Sequence, residues 1–355
     1  MIPRTVLNLG DRITGLSDLS AQRPLSPIGR LMVRFAPHLL SCDPDKMISA
    51  RSIRVRKFLH PVLMALLPMF LQYKQVFESR NALRGIDEPD APLNLTDEPV
   101  IWCPTHGFKD DVAASIAATR HAYVLFGSVP MFLNTLDGVG AYINGVALCN
   151  RKVRASKLAA QEVCLRLLGL GMDVLVFPEG VWNKTAEKLM LPLWSGAYRL
   201  AQETGCKIIP VVHYLPDPIK KYPGNVIHTV IGDPISMEGL DEQEGTALLR
   251  DTMAYWRFLL MEEYGQTTRK ELLGGHATAD EAWAAFLSEQ TRRVPYYDKE
   301  IELCADYRSR AIPRPESVWQ PIADLTPDTP EKARHIAHAR RSVAQEKQRD
   351  FQRRF

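Results

Sequence analysis

Six short apolar runs punctuate the middle of the chain, at residues 100–104, 122–126, 146–150, 173–177, 207–213 and 226–231. Each is nearly continuous rather than alternating, the pattern of a strand buried on both faces. Between them the spacing turns helical. Residues 154–170 place Leu158, Val163, Leu165, Leu167 and Leu168 in an amphipathic stretch that stops at Gly169 and Gly171, and residues 194–203 and 241–264 read the same way. Asp241 with Glu244, and Thr278 with Glu281, have the spacing of capping boxes. This alternation predicts an α/β fold: a mostly parallel or mixed central sheet flanked by helices, with its chemistry in loops at the strand ends. No internal repeat is present.

The two ends differ from this pattern. Residues 1–75 hold eleven Lys and Arg against four Asp and Glu, whereas the whole chain carries only +3, so the remainder is net negative. The basic excess is densest at Arg51, Arg54, Arg56 and Lys57, directly before the apolar run 58–73. That run is shorter than the roughly 20 residues a spanning helix needs and contains Pro61 and Pro68. It predicts a membrane-contacting helix on the bilayer surface, with Tyr73 and the basic cluster at the headgroups. A core helix beside a solvated basic loop is the plainer reading. Residues 85–99, rich in Pro, Asp and Asn, form a loop that separates this region from the strands. Beyond Val294 a Pro-rich stretch of mixed charge leads into a basic, polar tail, read as a C-terminal helical arm that ends in a helix or in disorder. The expected organisation is therefore 1–85 as a basic, membrane-associating region, 86–265 as the α/β domain, and 266–355 as the C-terminal extension.

Composition narrows the class. Six scattered cysteines with no CxxC pair are neither a disulfide framework nor a zinc ribbon, and fit a reducing compartment. Residues 1–10, interrupted by Pro3, Arg4 and Asn8, predict no cleavable signal peptide. No aromatic-interleaved basic strand or recognition module points to nucleic acid.

Four stretches at predicted strand ends carry chemistry. WCPTHGFKDD sets His106 five residues before Asp111, and a histidine oriented by a carboxylate is what general-base catalysis on a hydroxyl requires. Alone the pair is a weak signal. On a regular helix positions i and i+5 do not share a face, so the two meet only if 107–110 is partly non-helical; otherwise Asp110 is the partner. INGVALCNRKVR ends a strand in Arg151 and Lys152, cations that suit a phosphate or CoA-like anion or, equally, a solvated helix start. DVLVFPEGVWNKT displays Glu179 on a turn where it would hydrogen-bond an acceptor hydroxyl, with Gly180 allowing close backbone approach. CKIIPVVHY is an apolar strand broken by Pro210, which suits an edge or a bulge better than the middle of a sheet.

In their order and spacing these stretches resemble the glycerolipid acyltransferases, the family of lysophosphatidate and glycerol-3-phosphate acyltransferases. His106 and Asp111 match the H-x4-D motif, GVALCNR the second block, FPEG the third, and IIPVV around Pro210 the fourth, over roughly residues 100–233. The resemblance implies that His106, oriented by Asp111, deprotonates an acceptor hydroxyl, which attacks the thioester of acyl-CoA or acyl carrier protein. Arg151 and Glu179 would hold the acceptor's phosphate and glycerol part. No G-x-S-x-G elbow suggests a covalent acyl-enzyme, and no HExxH or His/Cys cluster suggests a metal, so no cofactor is expected beyond the acyl thioester co-substrate.

The chain departs from the family where Thr, Arg and Ser usually follow FPEG. Val181, Trp182 and Asn183 stand there, facing the acceptor, and Lys184 next to them would serve phosphate as a point charge. Phe108 and Lys109 replace smaller polar residues in the first block. The acceptor is thus expected to be bulkier than lysophosphatidate, or to lack a terminal phosphate. The function read from the sequence is an acyltransferase of phospholipid biosynthesis. It would act on a lysolipid such as 1-acylglycerol-3-phosphate, as a peripheral or monotopic protein at the cytoplasmic face of a membrane. The alternatives are a catalytically silent lipid-binding scaffold on the same fold and an acyl thioesterase.

Overall fold

The structure, a computed structural model, describes residues 26–293 apart from 71–73, 94, 96, 109, 152, 186–187, 217–225 and 266–273. Lys152, Lys109, Tyr73, residues 1–10 and the tail beyond Val294 lie outside the described residues. In chain order the elements are α1 (Pro27–Phe35), a 3-10 turn (Pro37–Leu40), α2 (Pro44–Met47), α3 (Ala50–Phe70), β1 (Lys74–Phe77), α4 (Arg80–Leu83), β2 (Ile101–Pro104), α5 (Asp111–Ala118), β3 (Ala122–Phe126), α6 (Val129–Asn134) and α7 (Leu136–Asn144). They continue with β4 (Val146–Leu148), α8 (Arg154–Gly169), β5 (Asp173–Val176), α9 (Gly196–Thr204), β6 (Ile208–Tyr214), β7 (Val226–Ile231), α10 (Glu242–Tyr264) and α11 (Ala279–Arg293).

One seven-stranded mixed sheet runs in the order β1-β7-β6-β2-β5-β3-β4. All neighbours are parallel except β6 and β7, so β1 and β7 oppose the other five strands. The apolar runs are continuous because helices cover both faces. Ile101, Cys103, Val174, Val176 and Ile208 point to a core shared with α8, α9 and α10. Their neighbours Trp102, Leu175 and Ile209 point to a core shared with α1, α5, α6 and α7. The five parallel strands thus end together along one edge of the sheet.

Three features depart from the sequence reading. Strand β1, which precedes residue 86, was not expected; it is a four-residue edge strand without a fully buried position, and so carries no apolar run. The basic cluster forms the first two turns of α3, with Pro61 inside the helix, where the alternative reading had a solvated loop. One side of α3 packs on the body: Ile53, Leu63 and Leu67 are buried, Arg56 Nε donates to the Tyr142 carbonyl at 3.2 Å, and the His60 and His121 rings lie 4.6 Å apart. Its other side is exposed. Pro210, finally, lies in an interior strand rather than at an edge. The pairs Val212–Val230 and Ile208–Ile235 leave three residues of β6 facing the four residues 231–234 at and after the end of β7, a one-residue bulge opposite the proline. The missing N–H faces that bulge, and the Gly232 N–H donates to the Pro210 carbonyl at 2.9 Å. A Cβ on Gly232 would meet the Pro210 ring at 2.7 Å, so only glycine fits there.

Both capping boxes form. The Asp241 carboxylate accepts from Glu244 N at 2.8 Å and that of Glu244 from Asp241 N at 3.1 Å, and Thr278 and Glu281 are linked in the same reciprocal way.

Candidate active site

His106 leaves the end of β2 in a short loop that becomes helical only at Asp111. The non-helical loop brings the two together: His106 Nδ1 lies 2.8 Å from Asp111 Oδ2, so Asp111 and not Asp110 is the partner. The same oxygen accepts from the Gly107 and Phe108 N–H groups at 2.8 and 3.2 Å. Asp111 is fully buried. A carboxylate at Nδ1 places the ring proton there and leaves Nε2 as the basic nitrogen. The Phe177 ring packs 4.5 Å from the imidazole and the Trp182 ring meets it edge-on at 5.9 Å, which limits ring rotation.

The FPEG turn abuts this loop because β5 is the neighbour of β2. Gly180 closes the turn, its N–H donating to Phe177 O at 3.0 Å with φ of 70°, a left-handed value suited to glycine. Glu179 corrects the sequence reading. It is fully buried, with Oε1 accepting from His106 N at 3.1 Å and Oε2 from Leu191 N at 2.9 Å. Both oxygens are held by backbone, so the carboxylate braces the His106 loop from within the core and is not displayed for an acceptor hydroxyl. Burial raises its pKa above the usual carboxylate range, and the nearby Arg257 guanidinium works against that rise.

Arg151, after β4, crosses the end of β3. Its guanidinium donates to the Gly180 carbonyl, and its methylenes would meet a Cβ on Gly127 at 3.3 Å. His106, Arg151 and Gly180 all border one cavity of about 380 Å³. It is bordered by the C-terminal ends of β3 and β5 and, on the side of helices α8 and α9, by Ala160, Cys164, Ala197 and Leu200. Its volume lies in the range of small-molecule sites, about 300–1,000 Å³. Polar groups of its wall include Asp137, Lys157 and Gln161, none of them singled out by the sequence. Two cysteines face the cavity, but burial pushes the Cys164 thiol up to about 12 and raises that of Cys149 as well. Neither is a thiolate nucleophile near neutral pH.

Two further expectations are corrected. Lys184 does not face the cavity; it is buried, with Nζ donating to the Gly107 carbonyl and lying 5.3 Å from the centre of the Trp182 ring. Of the three residues after FPEG only Trp182 borders the cavity. Val181 is fully buried, and the Asn183 side chain turns inward to the Lys188 and Leu189 carbonyls at 3.0 and 3.3 Å. The main chain here has a structural use: Asn183 N donates to His106 O at 2.8 Å.

Residues 87–214 match the acyltransferase family. Over 115 residues the chain is 27% identical to a 1-acyl-sn-glycerol-3-phosphate acyltransferase of Chlamydomonas reinhardtii, a match spanning 32% of this chain and 34% of that relative. The chain thus spans about a third of the length of the curated relative it matches. In three dimensions it is similar to the 1-acyl-sn-glycerophosphate acyltransferase PlsC from Thermotoga maritima, with a TM-score of 0.43 at 16% identity, covering 76% of this chain and 100% of that one.

Proposed function

We propose that this protein, whose residues 87–214 match the acyltransferase family, moves an acyl group from an acyl thioester, acyl-CoA or acyl carrier protein, to a hydroxyl of a lysophospholipid-like acceptor. The observation that carries this reading is the 2.8 Å contact of His106 Nδ1 with Asp111 on the border of the cavity. His106 Nε2 takes the hydroxyl proton, the oxygen adds to the thioester carbonyl, and the C–S bond breaks as the tetrahedral centre collapses. The departing sulfur receives the proton that Nε2 holds. Asp111 stabilises the imidazolium between these steps. The acyl chain lies in the apolar end of the cavity, and Arg151 supplies positive charge for a phosphate.

We infer that the site works at a membrane surface, on its cytoplasmic face. On α3 the exposed residues Val55, Phe58, Val62 and Leu66 form one stripe at helical spacing, flanked by exposed Arg51 and Arg54. On α1, Leu31 and Phe35 are exposed one turn apart. Among the described residues no helix is long and apolar enough to cross a membrane. Such a stripe lies in the interface, with apolar side chains at the acyl boundary and arginines at anionic headgroups.

The test supplies labelled palmitoyl-CoA and a panel of lysolipids to the full chain and to His106→Ala. Esterified lipid from the wild type alone supports the reading. Product from His106→Ala sinks the mechanism, and CoA release without esterified lipid marks a thioesterase. Phe58→Asp is expected to lose co-sedimentation with anionic vesicles; undiminished binding refutes the membrane assignment.

A further inference from the structure

A second histidine stands behind the catalytic pair. His213, near the end of β6, is buried, and the base chemistry does not use it. Its hydrogen bonds run in one direction only. A backbone carbonyl can only accept, so Ser115 Oγ donates its single proton to Asp111 O, 2.6 Å away. Ser115 Oγ must then accept from His213 Nε2, at 2.9 Å. The neutral ring has a bare Nδ1, which accepts from Thr229 Oγ1 at 2.9 Å. Thr229 Oγ1 in turn accepts from Gln75 Nε2 at 3.0 Å, whose other proton goes to Ala114 O at 3.1 Å. The chain begins and ends on α5, at the carbonyls of Ala114 and Asp111, and passes through β1, β7 and β6.

Helix α5 needs such an anchor. It has eight residues, four of them alanine, and no side-chain cap at Asp110. Yet its first residue must present one oxygen to three donors in the His106 loop. We propose that His213 is a positioning residue for acyl transfer: through Ser115 it fixes the first turn of α5, and so the place of Asp111 against His106. The proposal rests on His106 and Asp111 acting as the base pair. His213 is no proton relay, because the Ser115 proton ends on a carbonyl that cannot pass it on. Burial pulls the His213 pKa down to about 4, which keeps the ring neutral at working pH.

The experiment compares wild type, His106→Ala, His213→Leu, His213→Gln and Ser115→Ala in the full chain, with palmitoyl-CoA and 1-oleoyl lysophosphatidate as probes. His213→Gln keeps a donor for Ser115. A misplacement on the order of 1 Å costs about a hundredfold, so kcat is expected to fall by up to that factor in His213→Leu and Ser115→Ala, with KM for both substrates unchanged. His213→Gln is expected to recover most of the loss.

The acid limb of kcat/KM is the second readout, because a displaced carboxylate supports the imidazolium less and the limb moves to lower pH. The other charged groups around the His106 loop, Glu179, Arg257 and Lys184, are the same in every variant. The third readout needs no activity: in 15N-histidine-labelled protein the Nδ1 proton of His106 bonded to Asp111 is expected to broaden or vanish in His213→Leu and Ser115→Ala and to persist in His213→Gln. A Ser115→Ala protein with unchanged kcat, limb and resonance overturns the proposal. A lower plateau with an unmoved limb and an intact resonance overturns it too, since that marks a loss of stability alone. Activity surviving in His106→Ala would instead overturn the base assignment, which separates the two failures.

Discussion

Glu179 holds His106 by its backbone rather than by its ring: Oε1 accepts the His106 N–H at 3.1 Å while Oε2 accepts the Leu191 N–H at 2.9 Å. A conspicuous carboxylate of the FPEG turn is therefore a brace for the His106 loop. The ring is oriented from the other side, by Asp111.

Asp111→Asn is expected to lower kcat by about a thousandfold or more, the scale seen when a histidine is left in the wrong tautomer. The asparagine amide can offer His106 and two backbone N–H groups an oxygen or a donor, but it cannot stabilise an imidazolium. Steady-state kinetics at saturating acyl-CoA check this. A loss below tenfold would show that Asp111 is dispensable.

Lys184→Met separates a strut from a phosphate ligand. The substitution leaves the Gly107 carbonyl without its ammonium donor, at a stability cost of about 1–3 kcal/mol for an unmet buried acceptor. The expected outcome is a lower melting temperature and a lower kcat, with an unchanged KM for a phosphate-bearing acceptor. A raised KM at unchanged stability would instead put Lys184 on the phosphate.

Ala197→Phe reads the depth of the cavity. Ala197 is buried on α9 and borders the apolar end. A ring there shortens the space for an acyl chain, and each methylene excluded from an apolar pocket changes discrimination by about 1–3 kcal/mol. Competition between palmitoyl-CoA and octanoyl-CoA is expected to shift toward octanoyl by at least about tenfold. An unaltered ratio would place the chain elsewhere.

Stability should depend on pH through His213. Its folded pKa of about 4 lies below the ordinary imidazole value of about 6.5, so the unfolded chain binds the extra proton. Stability from this residue is complete above pH 6.5 and falls as pH drops toward 4, by on the order of 3 kcal/mol. Urea unfolding of wild type and His213→Gln across that window checks the sign. The wild type is expected to lose stability faster with acid, and parallel curves would refute the assignment.

Much was legible in the sequence because it is local. Continuous apolar runs marked strands covered on both faces, side-chain spacing marked α8 and α10, and reciprocal cap chemistry marked the starts of α10 and α11, all within a few residues of chain. The H-x4-D spacing singled out His106 as the side chain to pair with a carboxylate, and left Asp110 or Asp111 open until the loop conformation decided for Asp111. What the tertiary structure decided depends on neighbours distant in sequence. Strand order put FPEG beside His106, which turned Glu179 and Lys184 inward as a brace and a strut. A bulge more than twenty residues after Pro210 let that proline sit inside the sheet. The anchor of α5 joins Gln75, Ser115, His213 and Thr229, which no local pattern links. A motif names the side chains that carry chemistry; burial and the partners of each polar atom decide which of them face substrate, and those are set only when the strands are laid side by side.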